Sequence, residues 1–79
     1  MHYEINVALN SKHLFATAER SITDRDKLVR VYNTFEKVFP KEEGYILSIT
    51  FWQMRGKPIP QEEMDLIREQ FNQQYETLK

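Results

Sequence analysis

The sequence predicts an α+β fold. Specifically, it predicts a two-layer sandwich of order ββαβα, with a three-stranded antiparallel sheet in the order 2-1-3 and two helices on one face. Three observations predict it. The first is the run YILSITFWQM at residues 45–54, rich in β-branched and aromatic residues and free of Pro and Gly, which suits a strand. The second is the strict alternation of HYEINVAL at residues 2–9, the pattern of a strand with one buried face. The third is a pair of apolar stripes at helical spacing, one in each half of the chain.

In the first strand Tyr3, Ile5, Val7 and Leu9 share one face, and His2, Glu4, Asn6 and Ala8 share the other. Asn10-Ser11 follows as a two-residue turn. Asn suits the positive φ of a type I′ turn, whereas Ser is poorer than Gly at the second position. On that turn the second strand, residues 12–18 (KHLFATA), pairs Leu9 with Lys12, Val7 with Leu14 and Ile5 with Ala16. Facing residues lie on the same side of a sheet. Leu14, Ala16 and Ala18 then join the core, and His13, Phe15 and Thr17 point to the other side. A three-residue turn would reverse the faces and bury Phe15, because the side-chain period is two.

Ser21 and Thr23 both offer N-caps for a first helix, with Asp24 and Asp26 three residues on. Leu28, Val31, Tyr32, Phe35 and Val38 form its apolar stripe, and Arg25, Arg30, Asn33 and Lys37 look outward. Pro40 ends it. After the connection KEEG the central strand exposes two faces of different character. Tyr45, Leu47, Ile49 and Phe51 close the core, and Ile46, Ser48, Thr50, Trp52 and Met54 lie opposite. Arg55-Gly56-Lys57-Pro58 ends that strand. Pro60 stands near the first position of a second helix, where its missing N–H costs nothing. Glu62 and Glu63 complement the helix dipole. Met64, Ile67, Phe71, Tyr75 and Leu78 make the stripe, and Leu66 falls off it. The expected core contains Ile5, Val7, Phe35, Ile49, Phe51, Ile67 and Phe71.

Seventy-nine residues make a single domain. A chain of this size buries only about 60% of its unfolded surface, so its core is marginal without a supplement. With no Cys, disulfides and thiolate zinc sites are excluded. The balance of 11 basic and 12 acidic residues lacks the positive excess of a non-specific nucleic-acid binder. No apolar run reaches the ~18 residues of a membrane span. MHYEINVAL has neither the basic region nor the apolar segment of a signal peptide, so the expected location is cytoplasmic.

Catalytic and metal constellations find little support. His2 and Glu4 share a face, but His13 lies about six residues along the ladder, roughly 20 Å away at ~3.3 Å per residue. No metal or other cofactor is expected. Ser11, Ser21 and Ser48 have no base beside them in sequence. Glu62, Glu63 and Asp65 are explained by the helix dipole, and the two glycines, Gly44 and Gly56, form no phosphate loop.

Two layers leave one sheet face open. On the two-residue turn that face gathers Phe15, Ile46, Trp52 and Met54, with Arg55 and Lys57 following. Grouped exposed aromatics and Met mark interaction surfaces. The expected function is a non-enzymatic protein-binding module whose partner is a second copy of itself, as a homodimer, or another protein. The alternative is a single-stranded nucleic-acid binder that stacks bases on Phe15 and Trp52, with Arg55, Lys57 and Lys12 near the backbone.

Overall fold

The computed structural model describes the backbone of residues 1–76 and the side-chain surroundings of residues 1–70. Strands β1 (His2–Leu9), β2 (Lys12–Ala16), β3 (Tyr45–Trp52) and β4 (Gly56–Pro58) form one antiparallel sheet in the order β2-β1-β3-β4. Helices α1 (Arg25–Val38) and α2 (Gln61–Glu76) complete the chain. The α+β class, the 2-1-3 order and the two helices are as expected. The fourth strand is an addition: Gly56 pairs with Trp52, Lys57 with Phe51 and Pro58 with Thr50. Gly56 closes a short hairpin where the sequence suggested only the end of a strand. Pro58 is tolerated because β4 is an edge strand.

The central ladder joins β1 and β3 in unbroken register from His2↔Trp52 to Leu9↔Tyr45. Ile5 faces Ile49, and both are buried with Leu28, Val29 and Tyr32 of α1 and with Met64 and Ile67 of α2. Both helices therefore cover the same sheet face. Of the expected core, Ile5, Val7, Ile49 and Ile67 are buried. Phe35 and Phe51 are partly buried instead, at the margin of the core. Phe71, Tyr75 and Leu78 lie outside the residues whose side chains are described.

The β1–β2 hairpin departs from the expected register. Asn10 and Ser11 do make the two-residue turn, with φ of 49° and 71°, and Leu9↔Lys12 and Ala8↔His13 pair as expected. A bulge then breaks the ladder: Val7 pairs with Phe15, so Leu14 is the extra residue. Such a bulge shifts every later residue by one. Phe15 therefore joins the helix side, where its ring meets the edges of Phe35 and Phe39 at 6.1 and 5.5 Å. Leu14 and Ala18, expected in the core, are exposed. Thr17 restores the ladder beyond the bulge. Its N–H donates to the Ile5 carbonyl, and its Oγ1 accepts from the Ile5 N–H, both at 3.0 Å.

Helix α1 begins later than Ser21 or Thr23 suggested. Asp24 is the N-cap, its carboxylate accepting from the Lys27 N–H at 2.8 Å. The intervening Ile22 is buried and bridges to Tyr3, whose N–H donates to the Ile22 carbonyl. That tertiary tether uses up the turn in which a helix would have started. The α1 stripe is also rotated. Val29 and Asn33 are buried and Val38 is exposed. Asn33, expected outside, is accommodated because its amide donates to the Val29 carbonyl at 2.7 Å, which satisfies a buried polar group. Between α1 and β3 a 3-10 turn, Lys41–Glu43, ends on Gly44 at φ 95°. The Gly44 carbonyl accepts from the Asn10 N–H, which ties this connection to the β1–β2 turn.

Candidate interaction surfaces

The open sheet face is built by alternation along β1 and β3. Across the ladder it pairs His2 with Trp52, Glu4 with Thr50, Asn6 with Ser48 and Ala8 with Ile46. His13 and Ala16 extend it on β2, and Gly56 and Pro58 extend it on β4. Ile46 is 56% exposed and Trp52 is 37% exposed. The indole is held on both sides. The His2 ring stacks near it at 6.3 Å with planes 16° apart. On the other side it lies against Gly56, where an added Cβ would come within 2.8 Å of the ring. Glu4 and Glu19 join His2 and Trp52 around a cleft of about 260 Å3.

The six residues expected on this face are dispersed. Ile46 and Trp52 lie on it as alternation requires. Phe15 does not, because the bulge turns it toward the helices. Met54 does not either: β3 ends at Trp52, and Met54 sits at the hairpin turn with 99% of its surface exposed. Arg55 occupies the same turn, and Lys57 pairs with Phe51 and so points to the helix side. The two aromatics of the suggested base-stacking platform are thus on opposite faces of the sheet, and Trp52 is flanked by carboxylates.

A second concavity was not visible in the sequence. A cleft of about 800 Å3 opens between α1 and α2 above the first residues of β3. Phe39, Tyr45, Leu47 and Met64 supply its apolar wall, and Ile46 reaches its edge from the open face. Glu36 of α1 and Arg68 of α2 span it: the Arg68 Nε donates to Glu36 Oε1 at 2.9 Å, and a terminal guanidinium nitrogen donates to Oε2. The same guanidinium lies 3.8 Å from Asp65. These hydrogen bonds to Glu36 raise Arg68 above its ordinary pKa. Tyr32 lines the floor, and burial, with Glu36 nearby, pushes its hydroxyl up to about 12. Lys41 and Glu42 stand on the 3-10 turn beside the cleft, and Gln61 on α2 completes it. The signal that anticipates this cleft is faint. Tyr32 and Glu36 lie on one side of α1 with Phe39 at its C-cap, and Gln61, Asp65 and Arg68 lie on one side of α2, at spacings of three and four.

Among the described residues no group of three His, Asp or Glu side chains is placed to hold a metal ion, and no helix is long and apolar enough to cross a membrane. No protein-family model, curated protein or solved structure matches the chain.

Proposed function

We propose that the protein is a small non-enzymatic protein-binding module that self-associates through its open sheet face. The observation that carries this reading is the exposure of Ile46 and Trp52 on the face opposite the helices. Both belong to β3, a strand whose other face contributes Ile49 to the core. The surrounding Ala8, Asn6, Ser48 and Thr50 are small or uncharged, which suits close approach of a second sheet, with Glu4 and Glu19 bordering the Trp52 end. A two-fold contact made by the same patch on both copies is the commonest arrangement in homo-oligomers. Each copy would supply apolar burial worth about 25 cal/mol per Å2, a useful supplement for a small core.

Sedimentation equilibrium across a wide concentration range tests the proposal. The wild-type chain is expected to approach twice its monomer mass, with a melting temperature that rises with concentration. Trp52→Glu is expected to remain monomeric and to melt lower. A wild-type chain that stays monomeric at every concentration overturns self-association.

A further inference from the structure

We propose a second contact, in which the β3–β4 hairpin tip of one copy docks in the α1–α2 cleft of another. The two surfaces are complementary in shape class and in charge. Met54 at the tip is 99% exposed, and it stands beside Arg55 with Lys57 two residues on. No ion pair among the described residues involves either cation. The cleft offers a wall of Phe39, Tyr45, Leu47 and Met64, suited to a flexible thioether side chain. Its charged residues are three carboxylates, Glu36, Glu42 and Asp65, against two cations, Arg68 and Lys41, an excess of one negative charge. Arg68 is already engaged by Glu36 and Asp65, and Asp65 Oδ1 also accepts from Gln61, so Glu42 and Asp65 Oδ2 are the acceptors offered to an incoming Arg55. Met and Arg are enriched at protein interfaces.

Geometry sets the mode. The cleft lies over Tyr45 and Leu47 at the start of β3, and the hairpin leaves from Trp52 at its end. Five to seven residues of strand separate the two by roughly 17–23 Å at ~3.3 Å per residue. A hairpin therefore does not reach its own cleft, and the contact is made between copies, either exchanged reciprocally in a two-fold dimer or passed on from copy to copy in rings or open chains. The contact is small and charge-assisted, so it is weak and falls as salt rises. The cleft shares Ile46 at its edge with the open face, but the contact uses neither His2, Trp52 nor the centre of that face.

The experiment is sedimentation of chains carrying Ser48→Arg, which places a charge at the centre of the open face and leaves hairpin and cleft intact. In this background the average mass is expected to rise with concentration and to fall with added salt. A hairpin variant (Met54→Ser, Arg55→Gln) and a cleft variant (Glu42→Lys, Asp65→Asn, which keeps the oxygen that accepts from Gln61) change exposed side chains and are expected to melt near the parent. Each alone is expected to be monomeric. Mixed in equal amounts, they are expected to form a dimer that grows no further, since one intact hairpin and one intact cleft remain. A monomeric parent, a monomeric mixture, or variants that assemble as the parent does would each overturn the proposal. If the wild-type chain assembles and Ser48→Arg alone abolishes it, the open face carries the association and the hairpin–cleft contact falls. If Ser48→Arg leaves assembly unchanged while the hairpin variant abolishes it, the open-face reading falls instead.

Discussion

At Gly56 the missing side chain, rather than backbone freedom, is what the structure uses. The Trp52 ring rests where a Cβ would stand, at 2.8 Å, a distance no relaxed carbon pair tolerates. Gly56→Ala must therefore push the indole off β4 or distort the hairpin. Trp52 is 37% exposed and meets Gly56 with the far edge of its ring, so the cost sits at the lower end of core overpacking, about 1 kcal/mol. The expected outcome is a lower melting temperature and a red-shifted Trp fluorescence, readily assigned because Trp52 is the single Trp. An unchanged emission spectrum and melting point would show that the ring is free to move. Sequence alone identified Trp52 as an exposed candidate. It did not reveal the glycine beneath it, because that contact depends on a strand pairing four residues away.

At the scale of elements, turn and bulge act together. Asn10 and Ser11 both adopt positive φ, as a type I′ turn demands, and Asn accepts this more readily than Ser. A non-glycine residue in this region costs about 1–2 kcal/mol. Ser11→Gly is therefore expected to stabilise the domain by about 0.5–1 kcal/mol after the extra chain entropy of glycine is set against the relief. That corresponds to a rise in melting temperature of roughly 2–8 °C for a domain of this size. A fall would mean that the turn relaxes differently around Ser11. The turn residues were legible, and they set the first two pairs of the hairpin correctly. The bulge at Leu14 was not legible. Both Leu14 and Phe15 are apolar, and alternation cannot say which of two adjacent apolar residues is set aside. The choice falls to the helices, since Phe35 and Phe39 leave room for an aromatic ring edge-on, a favourable geometry for such pairs.

Across the whole molecule the two helices are coupled by charge as well as by the core. Arg25 of α1 pairs with Glu63 of α2 at 2.9 Å, and Arg68 of α2 pairs with Glu36 of α1. Tyr32 lies buried beneath this second pair, with its hydroxyl pushed up to about 12. A tyrosine in the unfolded chain loses its proton near 10. The folded state thus holds the proton more tightly, so this contribution is fully present below about pH 10. It is lost as pH rises from about 10 to about 12. Its size is roughly 2–3 kcal/mol at ~1.4 kcal/mol per pH unit. Denaturant melts between pH 9 and pH 12 should therefore show a steeper loss for the wild-type chain than for Tyr32→Phe. Parallel pH profiles for the two would remove Tyr32 from the alkaline transition.

What the sequence by itself determined is whatever local period and turn chemistry encode. Alternation at residues 2–9 and 45–52 was enough for the central ladder, the helix-side core around Ile5 and Ile49, and an open face bearing Ile46 and Trp52. Apolar spacing placed Leu28, Tyr32, Met64 and Ile67 on buried helix faces, and Pro40 and Pro60 marked where helices stop and start. Tertiary structure decided the features that join distant segments. The Ile22–Tyr3 bridge delayed α1 to Asp24, because a backbone hydrogen bond to β1 took the place of a helical turn. Packing against the helices chose the bulge and carried Phe15 away from the open face. The pairing of Gly56 with Trp52 made a fourth strand from three residues too few to show a period. The α1–α2 cleft arises from the angle and spacing of two helices, neither of which any single stretch of sequence contains.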